Sequence, residues 1–213
     1  ERNRKRRVGM DIYRYDESFR EKGPKRIAGI DEAGRGPLAG PVVASAVVMS
    51  GVERIKGLRD SKKVPEKERE FLFLEILSCC LDVGVGIIEA DEIDRINILK
   101  ATRRAMEKAV KDLTTEPDFL LIDAVSLPAL HIKQISPIKG ESVSASIAAA
   151  SIIAKVVRDR LMRQYHKAYP EYGFEKHKGY GTKEHMDNIQ NYGPCPIHRK
   201  SFDKVMDLML PFK

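Results

Sequence analysis

Ile30-Asp31-Glu32-Ala33-Gly34-Arg35-Gly36 is the stretch on which the reading of this chain turns. Two adjacent carboxylates end an apolar run, and a glycine-flanked arginine follows at once. Paired acids at the end of a buried strand call for a cation to meet them. Arg26 to Ile30 reads as that strand, with Ile27 and Ile30 at its apolar positions. Successive strand side chains point to opposite faces, so Asp31 and Glu32 are expected to serve one site only if the chain leaves the sheet near Glu32. Gly34 and Gly36 make such an exit sterically easy. Taken alone, the stretch fits a polar loop with a solvated acid pair equally well.

Two further acids fall where other walls of one site are expected. Phe119-Leu120-Leu121-Ile122 is a short apolar run ending in Asp123, at the carboxyl edge where open α/β sheets form ligand crevices. Glu141 precedes a long helical pattern beginning near Ser142. Asp123 as a turn cap and Glu141 as a charge near the positive end of a helix dipole are the structural alternatives. Four converging carboxylates repel unless divalent cations neutralise them, and carboxylate donors suit magnesium or manganese. The chemistry most often built that way is two-metal phosphoryl transfer.

The longer motifs resemble a known family. Gly29-Ile30-Asp31-Glu32-Ala33-Gly34-Arg35-Gly36-Pro37-Leu38-Ala39-Gly40-Pro41-Val42 is followed by Asp60-Ser61-Lys62-Lys63, Ile122-Asp123, Ser146-Ile147-Ala148-Ala149-Ala150-Ser151-Ile152-Ile153-Ala154-Lys155 and His177-Lys178-Gly179-Tyr180-Gly181-Thr182. In this order, from Arg26 to the C-terminus, the chain is similar to the ribonuclease H type 2 family, specifically bacterial ribonuclease HII. The resemblance implies an α/β fold: a ribonuclease H-like five-stranded mixed sheet flanked by helices, its first three strands antiparallel, with a helical C-terminal extension. It implies a metal-dependent endoribonuclease that cuts on the 5′ side of ribonucleotides in RNA–DNA hybrids, or of a single ribonucleotide embedded in duplex DNA. The products would carry 3′-hydroxyl and 5′-phosphate ends.

Asp31, Glu32, Asp123 and Glu141 become the catalytic, metal-holding set for two Mn2+ or Mg2+ ions, with Asp31 bridging. The resemblance also implies that Gly34, Arg35 and Gly36 read the ribose 2′-hydroxyl and that the Tyr180 ring packs on the sugar beside the cut bond. Lys62 and Lys63 would lie near the nucleic-acid backbone. The family usually carries aspartate at the fourth acidic position, so Glu141 lengthens that arm by one methylene.

On the long helix Ser151, Lys155 and Arg158 share a face. Lys155 and Arg158 are read as substrate contacts, with a Lys155–Asp159 ion pair as the alternative. His131, His166, His177, His185 and His198 lack paired metal-ligand spacing, which argues against a zinc site or a catalytic histidine.

The net charge of +7 is unevenly distributed: residues 1–26 sum to +5, residues 27–149 to −3 and residues 150–213 to +5. An acidic core between basic segments suits metal-binding acids that must meet a polyanion, with a silent nucleic-acid-binding module as the alternative. The expected organisation is a basic tail and short helix (1–25), a catalytic core (26–168) and an extension completing the substrate cleft (169–213). The apolar runs are too short to cross a membrane, and Glu1 to Arg7 is charged with no apolar core following, unlike a secretory leader. Cys79, Cys80 and Cys195 read as reduced thiols of a cytoplasmic protein. A monomer is expected. Asp207-Leu208-Met209-Leu210-Pro211-Phe212 suits either a sliding-clamp contact or a packed terminal helix.

Overall fold

The structure, a computed structural model, describes residues 11–209. The basic run 2–7 and the terminal residues 210–213 lie outside the described residues. Strands β1 (Ile27–Ala33), β2 (Val42–Met49), β3 (Cys80–Ile88), β4 (Phe119–Ile122) and β5 (Gln134–Ile135) form one five-stranded sheet in the order β3-β2-β1-β4-β5. β1 pairs antiparallel with β2, and β2 with β3; β1 pairs parallel with β4, and β4 with β5. The expected five-stranded mixed sheet with an antiparallel first half is the observed architecture.

Helices cover both faces, which is why β2 is buried along its whole length and reads as an unbroken apolar run. One face packs against α4 (Ile98–Asp112), whose Ala101, Ala105 and Ala109 meet Ala28, Ile30 and Val42. The other packs against α5 (Ala145–Ala168), whose Ala145, Ala148, Ala149 and Ala150 meet Val47 and Met49. Close approach is built into the sequence. A Cβ at Gly29 would fall 2.0 Å from the Ser146 carbonyl carbon, and one at Gly86 1.9 Å from the Ala105 oxygen. Gly84 and Gly86 therefore do not mark a weak strand; they let α4 lie on β3.

Several elements differ from expectation. β1 does not end at Ile30 but runs through Asp31 and Glu32 to Ala33, with Asp31 opposite Ser45 and Glu32 opposite Ala44. Residues 91–113 carry one apolar helical spacing in sequence but fold as two helices, α3 (Ala90–Ile96) and α4, because Asn97 at φ 69° breaks the run and its side chain caps α4 through Lys100 N. α2 (Glu66–Cys79) stops at Cys79 and β3 starts at Cys80, without a linker. β5 is only Gln134–Ile135, and the Gln134 side chain bonds the Leu127 backbone in both directions. The short helix expected within 1–25 is α1 (Ile12–Arg20), and its buried Asp16 accepts from Ser146 N at the start of α5.

Beyond α5, the short α6 (Phe174–His177), α7 (Lys183–Tyr192) and α8 (Asp203–Met209) gather Tyr172, Phe174, Ile189 and Val205 around Leu38, Ala39 and Met162. Residues 169–209 thus share an apolar cluster with the loop after β1 and the end of α5. The three cysteines are free thiols. Among the described residues, no helix is long and apolar enough to cross a membrane.

Candidate active site

The parallel pairing of β1 and β4 sets Ile30 opposite Ile122, and Asp123 N donates to Ile30 O at 3.0 Å, so Asp31 and Asp123 emerge side by side at one sheet edge. Asp31 shares the α5 face with Gly29, which brings Ser151 of α5 to its carboxylate. Glu32 shares the opposite face with Ala28 and Ile30. The two acids therefore reach one site by flanking the strand end, not by an early exit of the chain. Glu141 does not start the long helix. It sits in a separate 3-10 turn, Gly140–Ser142, whose Gly140 N donates to Asp123 Oδ1 at 2.7 Å. Ser144, three residues on, caps α5.

Asp31 is 6% and Glu141 8% exposed. Burial, then the charges of Glu32 and Asp123, hold Asp31 well above the usual carboxylate range. Glu32 is raised by burial and by Asp123, with Arg35, 3.4 Å away, opposing. Glu141 is raised by burial and by Asp123. Burial works against the Lys62 ammonium, yet Asp31, Asp60, Glu141 and Asp123 together raise it. Glu141 and Asp123 share a side-chain hydrogen bond, and among the described residues no three acids form a ready-made metal cage. Glu32 Oε2 and Glu141 Oε2 are buried without a hydrogen-bond partner. Orphaned carboxylate oxygens in an all-oxygen donor set fit a hard divalent cation.

A cleft of about 580 Å³ opens beside the acids, lined by Glu32, Gly34, Arg35, Gly36, Lys62, Lys155 and Tyr180 among others. Tyr180 is 47% exposed, which removes it from the core, and a Cβ at Gly36 would lie 3.8 Å from its ring. A second cavity of about 680 Å³, between Asn97 and Ser201–Lys204, shares Gly36 and Tyr180 with the first, so the ring stands as the wall between them.

Three expected substrate contacts also have partners within the protein. Arg158 lines the cleft, is 1% exposed and donates to the carbonyls of Pro41, Lys178 and Ala39. Lys155 lines the cleft but is paired with Asp159 at 2.6 Å, the alternative its spacing allowed. Lys63 is exposed and turns to Asp60 at 3.7 Å. Sequence reasoning missed Asp60, which caps the turn Ser61–Lys63 through Lys62 N, and Ser61, which accepts from Ser151 Oγ. The Asp60-Ser61-Lys62 spacing carried that capping signal. It also missed that His185 and His198 are buried, Nε2 to Nε2 at 3.0 Å, with His177 stacked on His185.

Among solved structures, the chain is similar to the ribonuclease H2 of Pyrococcus horikoshii OT3, at 28% identity, TM-score 0.73, over 86% of this chain and 96% of that one. In fold alone it is similar to the Archaeoglobus fulgidus RNase HII solved with PCNA, at 24% identity, TM-score 0.73, over 87% and 98%. The sheet, its acid edge and these neighbours define an enzyme of the ribonuclease H class. A model of the ribonuclease HII family matches residues 28–205. Ribonuclease HII of Caldanaerobacter subterraneus subsp. tengcongensis is 52% identical over 90% of this chain and 80% of its own length; that of Bacillus velezensis is 57% identical over 92% and 76%. The chain belongs to the ribonuclease HII family, and is thus a divalent-metal-dependent endoribonuclease acting on RNA–DNA.

Proposed function

We propose that the enzyme hydrolyses the phosphodiester on the 5′ side of a ribonucleotide, in RNA–DNA hybrids and at single ribonucleotides embedded in duplex DNA, leaving 3′-hydroxyl and 5′-phosphate ends. The observation that carries this reading is that Glu32 of the acid edge, the Gly34–Gly36 segment and the exposed Tyr180 ring line one cleft. Asp31, Glu32, Asp123 and Glu141 would hold two Mg2+ or Mn2+ ions, which when bound supply Lewis-acid activation and neutralise charge on the departing 3′ oxygen. Asp31, between Glu32 and Asp123, suits the bridging position. Gly34 and Gly36 let the backbone approach a sugar without an intervening Cβ, and a 2′-hydroxyl contact is what separates RNA from DNA. Tyr180, packed beside Gly36, offers its face to the neighbouring sugar. Lys62 stands over the acids, where a phosphate oxygen would need it.

The same reading assigns residues 169–213 to completing the cleft and the basic segments to holding the duplex, with the protein acting as a cytoplasmic monomer. RNase HII of A. fulgidus forms a complex with PCNA. We extend a sliding-clamp contact to the apolar end of this chain, of which Leu208 is half-buried in the extension.

Tyr180→Ala is expected to slow cleavage at an embedded ribonucleotide by a loss of ~1–3 kcal/mol, the scale of a stacking ring, with affinity for plain DNA duplex unchanged. Rates on the ribonucleotide duplex, affinity for the DNA duplex and melting temperature check this. Equal losses on all substrates with a lowered melting temperature would make the ring structural.

A further inference from the structure

Residues 34–41 form the loop that follows β1, and nearly every carbonyl in it points inward to one of two buried arginines. Arg199, fully buried, donates Nη2 to Gly34 O at 2.5 Å, Nη1 to Arg35 O at 3.0 Å and to Pro37 O at 2.8 Å, and Nε to Gly40 O at 3.0 Å. Its own N–H donates to Leu38 O at 2.8 Å. Arg158 takes Ala39 O and Pro41 O from behind. Gly34, at φ +100°, sits against that side chain, where a Cβ would fall 2.1 Å from Arg158 Nε.

A peptide whose carbonyl is fixed inward presents its following N–H on the other side. Guanidinium is the group suited to this task, because its planar fork fixes several acceptors at once. The arrangement is costly: two cations lie buried next to one another, and desolvation first, then the charge of Arg158, pulls Arg199 down to about 9. Arg199 stands far along the chain, outside every residue given a role in the cleft, and the ring of Phe202 lies 5.1 Å from its guanidinium.

We propose that Arg199 is a positioning residue for ribose discrimination: it turns the carbonyls of Gly34 and Arg35 inward and thereby sets the Arg35 and Gly36 amides toward the 2′-hydroxyl, while the Leu38 amide that follows the Pro37 carbonyl is held by Gly179 O. The inference rests on the reading that this loop recognises ribose. Arg199→Lys keeps the charge but places its donors at a single point, so it cannot span four carbonyls.

The test is the ratio of affinities for a duplex with one ribonucleotide and for the same duplex in all-DNA form, measured in calcium for the parent and Arg199→Lys, with melting temperatures and single-turnover rates in magnesium. The expected result is a parent ratio well above one that falls about tenfold in Arg199→Lys, the scale of a lost hydrogen bond, while all-DNA affinity holds and the cleavage rate drops. A parent ratio well above one that Arg199→Lys leaves unchanged overturns the role of Arg199 and spares the reading of the loop. A parent ratio of one overturns the reading of the loop itself. If Arg199→Lys does not fold, the parent decides: its Arg35 and Gly36 amide resonances, in calcium, are expected to shift on adding the ribonucleotide duplex and not the all-DNA duplex, and amides that respond equally to both overturn the proposal.

Discussion

Asp31→Asn and Asp123→Asn each lower turnover on an RNA–DNA hybrid by about three orders of magnitude or more, while affinity for the duplex stays within a few-fold. Both residues close the same parallel strand pair, and each contributes charge that divalent ions need at that edge. The basic segments that hold the polyanion are untouched by either change. Steady-state rates and duplex affinities of the two variants check this, and near-normal turnover in both contradicts a four-acid site. The same exchange at Asp31 acts oppositely on stability. Burial and the charges of Glu32 and Asp123 raise Asp31 in the folded protein, so the folded state binds its proton more tightly than the unfolded chain. Stability from this group is complete below the unfolded value of about 4 and is lost as pH rises through the raised folded value. Without divalent metal at pH 7, Asp31→Asn therefore melts a few degrees above the parent, and the gap closes near pH 4.

Glu141→Gln loses most of its activity in magnesium, whereas Glu141→Asp remains active with an altered ratio of magnesium- to manganese-supported rates. Glu141 reaches the cluster from a 3-10 turn pinned to Asp123 through Gly140, and its Oε2 is buried without a partner. Magnesium demands near-octahedral geometry at short range, and manganese tolerates a displaced ligand better. Glutamine keeps the shape and removes the charge; aspartate keeps the charge and shortens the reach. Initial rates of the three proteins across a titration of each metal separate the two effects. Full activity of Glu141→Gln in both metals contradicts a role for this residue as a ligand and leaves three acids.

Much of this was legible in the sequence where local pattern and final environment agree. Phe119–Ile122 is an apolar run too short for a buried helix, and its observed bounds match. The long motifs carried with them the five-stranded mixed sheet and its antiparallel first half. The sequence was least legible where one residue overrides a continuing pattern. The apolar spacing of Ile93, Ile96 and Leu99 passes straight through Asn97, so nothing periodic marks the break that its left-handed backbone makes. Asp31 and Glu32 look as if they need a strand end, because alternation in a pleat does not reveal that a long side chain can wrap the edge from the far face. Arg158 and Arg199 were illegible for another reason. An arginine reads as surface or phosphate contact, and only the folded chain brings Arg199 to the carbonyls of residues 34–40.

The central claim is that the cleft cuts at the 5′ side of a ribonucleotide with metal held by the four acids. The most direct test is cleavage of a duplex bearing one ribonucleotide in an otherwise DNA strand, labelled at each end, in magnesium, in manganese and in chelator, with the product termini mapped. The account predicts a single cut 5′ to the ribonucleotide, 3′-hydroxyl and 5′-phosphate ends, and no cleavage in chelator. A cut on the 3′ side, a cyclic or 3′-phosphate product, or undiminished cleavage in chelator would contradict it.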